Sequence, residues 1–506
     1  MQRPADIEAE LAVVGAGAAG LYTALAAARH GARVALVSAT PLAQSASYWA
    51  QGGLAAALAV DDSPAAHLRD TLDASRRAGR ESAARVLCEE APARVRELEE
   101  LGVVFDANRH GNLALGLEGG HGVRRVAHAG GSATGRRITR QLSADVAVHE
   151  RIVVLEGHRA AALRLHEGRC CGLICQEGTA LRARAVVLAS GGAAALWSRT
   201  TNPPGAFGSG LLLAYAAGAA LADLELMQFH PTAVVDPKRL DAAGRRRPSV
   251  EGFLITEAIR GEGATLVDAD GERFVDELAP RDEVARAIQT RLHETGASAV
   301  GLDMRSVDPR RFPNVVSSLR GAGLEPTREL LPVAPAAHYL MGGIATDVDG
   351  RSRVGGLYAV GECACTGLHG ANRLASNSLS ECFVFGRRAA LAGLEEPAPR
   401  RQPAPDSPGA TGERQEPDGG PATRLPDPDT RATVWKLAGL EREARGLQRL
   451  REHPHPLAAL VAESALAREE SRGAHWRRDH PDRDPALDLH HSVVHAGRQI
   501  AFERWT

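Results

Sequence analysis

Apolar and polar positions along the chain fall into short apolar runs closed by glycines and longer stretches with helical spacing. Near the start, Leu11–Val14 is an apolar run and Gly15–Gly20 a glycine turn. Leu21–His30 reads as an alanine-rich helix and Arg33–Val37 as a second strand. Together they predict a β-α-β unit. Two later runs, Ala185–Ala189 and Gly356–Val360, end in Ser190-Gly191-Gly192 and Gly361-Glu362. Strands closing in glycine-rich turns in both halves predict one dinucleotide domain assembled from separated segments. Leu226 to Pro335 mixes helical stretches with turns and many charges, as an inserted domain would. From Glu395 to about Pro428 large apolar residues almost vanish among Pro, Gly, Glu, Arg and Asp, which predicts a disordered linker. Arg431–Arg451 and Leu457–Arg472 then regain helical spacing.

At 506 residues the chain is too long for one ordinary core, and two or three domains are expected. A hydrophobic share of 44% beside 24% charged residues suits a globular protein. The net charge of −2 gives no global field to recruit nucleic acid or an anionic membrane, so anions must be bound by a few placed cations. The seven cysteines form no paired C-x-x-C framework, and their odd number fits a reduced intracellular protein. Cys170 and Cys171 are expected to be small packing residues. No basic region precedes the first strand, and the apolar stretches are strand-sized, so neither a signal peptide nor a membrane span is expected, and a cytoplasmic location is.

Gly15-Ala16-Gly17-Ala18-Ala19-Gly20 lies directly between a strand and a helix. The first glycine permits the tight turn, the second lets backbone approach a pyrophosphate, and the third allows close helix–strand packing. The acid that usually holds the ribose is missing, since the second strand ends at Ser38, whose hydroxyl can still bond a ribose. The motif alone does not choose between NAD and FAD. Ser45-Ala46-Ser47-Tyr48-Trp49-Ala50-Gln51-Gly52-Gly53 is either a surface for a flavin ring or an ordinary glycine-containing loop.

Several segments combine cations or histidines with glycines: Gln228-Phe229-His230-Pro231-Thr232, Leu254 to Gly263, Pro280-Arg281-Asp282, Ala337 to Gly343, and His369 to Leu379. A small dicarboxylate needs fixed donors at both ends, and the planar fork of arginine meets a carboxylate best. Singly, each has a plain explanation: a core histidine, a helix cap at Arg281-Asp282, a surface ion pair between Arg260 and Glu262.

These segments together resemble the flavoprotein family of fumarate reductase and succinate dehydrogenase. The resemblance runs from Gly15 to Arg468-Glu469-Glu470-Ser471-Arg472-Gly473-Ala474-His475 and includes Thr201-Asn202-Pro203. It implies an α/β fold: a Rossmann-type FAD-binding domain over 1–225 and 336–394, an inserted α+β capping domain over 226–335, a linker over 395–428, and a C-terminal helical domain over 429–506. It implies that Ala16 to Ala19 meet the pyrophosphate and Ser45 to Gly53 pass near the flavin ring. Glu362 would hold the ribitol or ribose side, and Ser378 and Leu379 would approach the flavin. Arg281 matches the family's proton-transfer arginine. His230, His338 and Arg373 match its carboxylate ligands, with Thr256 and Ser376 beside them.

Two places imply a branch. Ser45-Ala46-Ser47 stands where the respiratory enzymes attach FAD through a histidine, so the FAD here is non-covalent. Leu117-Glu118-Gly119-Gly120-His121 resembles the aspartate-oxidising branch, in which a glutamate can pair with the substrate's α-ammonium. The resemblance then implies oxidation of L-aspartate to iminoaspartate, with Glu118 orienting the amine and Arg281 handling the proton. Oxygen or fumarate would reoxidise the flavin, and the imine would feed quinolinate synthase and NAD biosynthesis. A fumarate reductase or succinate dehydrogenase-like enzyme is the alternative. Three positions on the flavin side depart from the family pattern: Ser209 and Ser132 where Asp is common, and Ala39 where Lys is frequent.

Overall fold

The computed structural model describes residues 7–237, 249–398, 424–495, 497 and 499–506. Its centre is a five-stranded, wholly parallel sheet, in the order Leu357–Ala359, Ala185–Leu188, Leu11–Val14, Val34–Ser38, Ile152–Glu156. Parallel sheets are covered on both faces, which is why Leu11–Val14 and Ala185–Leu188 read as unbroken apolar runs and are buried throughout. Chain segments far apart in sequence therefore share one sheet, as the glycine-ended runs predict.

The helix Ala18–Arg29 follows the glycine turn and packs on Asn377–Leu394, near the end of the same assembly. Small residues allow the approach: a Cβ on Gly386 would stand 2.9 Å from Thr23 Oγ1. Tyr22 meets Phe383 edge to face at 5.1 Å between ring centres.

A separate antiparallel sheet, Met227–Val234, Leu331–Leu340, Val300–Asp303 and Thr265–Val267, carries its own core of Ile255, Ile259, Leu266, Val284, Ile288 and Leu302. Most of it lies in the stretch whose texture changes in the sequence, although the strand Leu331–Leu340 runs on past Pro335. The pairing of Met227–Val234 with Leu331–Leu340 slips between Gln228 and Phe229 and again between His230 and Ala233, around Pro231. Such bulges re-aim side chains, and here they lie at Gln228 and His230.

The C-terminal part holds the helices Pro428–Ala438, Ala444–Arg451 and Pro456–Ala467. It then adds two strands absent from the sequence reading. His490–Val494 and Ala501–Arg504 extend a five-stranded sheet that contains Leu221–Ala222, Gly343–Ala345 and Ala364–Cys365. Most of the linker expected over 395–428 lies outside the described residues. On its near side Glu396 accepts from Tyr358 Oη at 2.7 Å. All seven cysteines are free, and Cys170 is buried. Among the described residues no helix is long and apolar enough to cross a membrane.

Candidate active site

A cavity of about 470 Å³ runs from the glycine turn to the antiparallel sheet. Every site residue expected from the sequence lines it except Gly20. Gly20 works behind the wall: a Cβ there would fall 1.8 Å from Gly15 O. Gly15 has φ +112°, and a Cβ would fall 2.3 Å from Ala189 O, so the fold itself requires that glycine. At Gly17 the nearest atom to such a Cβ is Ser47 Oγ at 3.2 Å. Gly17 thus leaves room for a ligand more than it relieves the fold.

The helix Ala18–Arg29 starts at Gly17 without a side-chain cap, and its first turn holds no acidic residue. Its positive end and free amides are left for an anion. Ser47 Oγ accepts from Ala18 N at 3.1 Å, tying the Ser45–Gly53 segment to the turn. Ser45 Oγ, Ser132 Oγ and Gln51 Oε1 are buried without hydrogen-bond partners. Buried polar atoms are normally paired, so unpaired ones of this kind suit a polar cofactor. The hydroxyl of Ser38 donates to Thr40 O at 2.6 Å, which leaves its lone pairs for a ribose. Glu362 Oε1 accepts from Leu340 N at 2.9 Å, and burial lifts its carboxyl to about 7. Ser209 begins the helix Ser209–Ala216 and lines the cavity, as does Ala39. A dinucleotide fits this half.

The far half holds buried charge. Arg281 Nε donates to Glu257 Oε2 at 2.7 Å, and Arg260 Nη2 stands 3.6 Å from the same oxygen. Burial works to raise the Glu257 carboxyl, but Arg281 and Arg260 outweigh it and hold it below its usual range. Gly119 makes this possible, since its amide donates to Glu257 Oε1 at 2.8 Å and a side chain there would collide with it. Gln228 Oε1 accepts from both Arg281 Nη1 at 3.2 Å and Arg373 Nη2 at 3.1 Å, so one amide spaces the two guanidiniums. Arg373 also lies 4.5 Å above the Tyr339 ring, and its Nε has no partner. Burial, then Arg281, brings Arg373 down to about 10, so it remains a cation at neutral pH.

His230 and His338 face each other at 5.1 Å between ring centres. Burial first, then Arg281, holds both well below an ordinary histidine, so both are neutral at pH 7. Thr201 Oγ1 lies 2.7 Å from His338 Nδ1 and orients that ring. Thr256 precedes the short helix Glu257–Gly261 at its N-cap position and makes no side-chain capping bond there.

Glu118 is buried at 3% exposure. Its Oε2 accepts from Ser376 Oγ at 2.6 Å, and its Oε1 has no partner. Ser376 sits at φ +60°, a region costly for a non-glycine residue, and its Oγ accepts from Gly53 N at 3.1 Å. The strained residue links the Ser45–Gly53 segment to Glu118.

The sequence reading missed Glu257 and Gln228 as site members, although both lie in segments it singled out. An acid in a Thr-Glu-x-x-Arg run is the ordinary helix N-terminus pattern, so the residue signal did not separate a cap from a site. The surface ion pair considered for Arg260 and Glu262 is not formed. Arg260 is buried and donates to Glu277 O, while Glu262 pairs with Arg311.

Two family models match the chain: an FAD binding domain over residues 10–379 and a fumarate reductase flavoprotein C-terminal domain over residues 433–504. Fold, cradle and buried cation pocket thus define an FAD-dependent flavoprotein of the fumarate reductase type, and FAD is its cofactor. Quinol fumarate reductase from E. coli superposes with a TM-score of 0.84 at 27% identity, covering 99% of this chain and 97% of that one. The apo Sdh1 complex of Mycobacterium smegmatis gives 0.82 at 30%, covering 99% and 95%. The L-aspartate oxidase of Streptomyces coelicolor is 42% identical over 541 residues, covering 96% of this chain and 91% of its own. That of Mesorhizobium japonicum is 44% identical over 503 residues, covering 94% and 92%. The chain belongs to the L-aspartate oxidase family.

Proposed function

We propose that the protein oxidises L-aspartate to iminoaspartate, and that Glu118 selects the amino acid. The observation carrying this reading is a buried carboxylate with one free oxygen in a pocket otherwise suited to anions. Arg260, Arg281 and Arg373 stand among Glu118 and Glu257, with both histidines neutral, so the pocket offers cations to carboxylates and one carboxylate to an amine. Arg373, His230, His338 and Thr256 bind the two carboxylates, and Glu118, held by Ser376, binds the α-ammonium.

FAD, when bound, supplies the two-electron acceptor. Gly15 to Ala19 hold its pyrophosphate, Ser38 and Glu362 its sugar hydroxyls, and Ser45 to Gly53, Ser209, Ser378 and Leu379 its remaining polar edge and ring. Fixing the α-carbon against that acceptor lowers the barrier by orientation. Arg281 serves the reaction in which fumarate takes the electrons, because hydride addition to one carbon requires a proton at its neighbour. A guanidinium is strongly basic, and Glu257, which accepts from its Nε, fixes where Arg281 stands. Oxygen is the other acceptor. Quinolinate synthase consumes the imine for NAD synthesis in the cytoplasm. The FAD-binding part comprises 1–225 and 336–394, the cap 226–335, the linker 395–428 and the C-terminal domain 429–506.

A second reading, succinate–fumarate chemistry alone, draws on the fumarate reductase likeness and on the same arginines. Glu118→Gln separates the two. Losing a charge-assisted hydrogen bond of about 1.5–3 kcal/mol should lower kcat/KM for aspartate about ten- to hundredfold. Succinate affinity should hold or rise. An equal loss for both ligands refutes the amine role.

A further inference from the structure

Hydride can leave the α-carbon of aspartate to give an imine only after the nitrogen has shed a proton, because an ammonium has no lone pair to share with that carbon. One proton per turnover must therefore pass from the buried Glu118 end of the pocket to water. Glu118 stands where that proton would first go, with its Oε1 unpartnered and its side chain 2% exposed. His128 is not part of the cavity wall, yet its Nε2 lies 3.9 Å from Glu118 Oε1 and its side chain is 15% exposed. The local chain explains that reach. His128 follows the strand Val126–Ala127, which pairs with Leu115–Gly116, and a Cβ on Gly116 would fall 2.8 Å from His128 Nε2. The imidazole therefore approaches Glu118 across a glycine, while Asp106 N fixes the His128 carbonyl at 2.7 Å.

We propose that His128 is a relay residue acting through Glu118, carrying the α-ammonium proton from the pocket to solvent. This rests on the reading of Glu118 as the amine ligand. The N–H bond of the ammonium breaks as a proton bonds to Glu118 Oε1. That O–H bond then breaks as Nε2 takes the proton, and the imidazole releases one to water, leaving a neutral amine and an ionised Glu118. A movement of about 1 Å brings the two side chains to hydrogen-bond distance. Imidazole both takes and releases a proton near neutral pH, which no other uncharged side chain does as well. The other charged or titratable groups acting on Glu118 are Arg260, Arg373 and His121, and Asp106 adjoins His128.

The test uses the FAD-loaded enzyme and two variants. His128→Gln keeps an N–H near Glu118 but cannot relay a proton; His128→Ala removes both. Flavin content and succinate Kd should match wild type in each. The kcat for aspartate should fall about tenfold or more in both, with KM little changed. Added imidazole should restore part of the rate in His128→Ala, which a merely structural role would not allow. Wild-type kcat in His128→Gln would overturn the relay and leave His128 a packing or hydrogen-bonding residue. That variant decides alone if His128→Ala fails to fold. A matching fall in succinate affinity would also overturn it. If Glu118→Gln oxidises aspartate normally, the amine reading itself fails; if only His128→Gln does, the relay alone fails.

Discussion

The two ends of the cavity are built on opposite principles. At the nucleotide end the wall is largely backbone, supplied by runs of neighbouring residues, and the decisive groups are glycines whose missing side chains make room. At the substrate end the wall is side chains drawn singly from positions 118, 230, 256, 281, 338, 373 and 376, several of them charged and buried. Backbone recognition needs no buried charge and tolerates little change in shape. Side-chain recognition requires several ions out of water, each of which is stable only if the others are present. The first end should fail by losing its ligand, and the second by losing selectivity or rate.

The largest expected effect breaks the nucleotide end alone. Gly17→Val should abolish FAD retention, measured by flavin absorbance after gel filtration, while the circular dichroism spectrum stays native. Gly15→Val should instead prevent folding, since its side chain would meet Ala189 O. Wild-type flavin content in Gly17→Val would show that the turn is not the phosphate site.

Next comes the cation shared by all dicarboxylates. Arg373→Leu should keep FAD but lower kcat/KM for aspartate by about a hundredfold or more and weaken succinate binding in step, because either ligand would face an unpaired carboxylate. Retained succinate affinity would remove Arg373 from the carboxylate site.

A smaller effect concerns buried neutral histidine. His230 is held well below the ordinary value in the fold, so the unfolded chain takes a proton that the folded chain refuses. Its contribution is whole above the unfolded value, near 6.5, and stability drains away as pH falls below it. His230→Gln should lose less stability than wild type between about pH 7 and 5, by on the order of 1–2 kcal/mol. Parallel denaturation curves would contradict a neutral buried His230. The smallest effect is Thr201→Val, which removes one hydrogen bond to His338; about 1 kcal/mol predicts roughly a fivefold lower kcat/KM for aspartate.

The same contrast explains what the sequence revealed. The strand–glycine turn–helix of Leu11 to Arg29 is contiguous, and each glycine has a local geometric reason, so both element and purpose were readable. Glu257 and Gln228 were not, because their roles exist only once residues 24 and 145 positions away are brought alongside. The strands His490–Val494 and Ala501–Arg504 escaped for a related reason. They are short and complete a sheet begun at Leu221–Ala222: His490–Val494 is buried against that partner strand, and Ala501–Arg504 is an edge with no buried residue. Ser376 is a third case: nothing in Ala-Ser-Asn-Ser signals a left-handed residue linking Gly53 to Glu118.

The claim that this pocket is matched to an amino dicarboxylate is tested most directly by mixing the purified holoenzyme anaerobically with L-aspartate or with succinate and following the loss of oxidised-flavin absorbance. Aspartate should bleach the flavin fully, and succinate should do so far more slowly or not at all. Bleaching by succinate with none by aspartate would contradict the account and assign the pocket to succinate–fumarate chemistry.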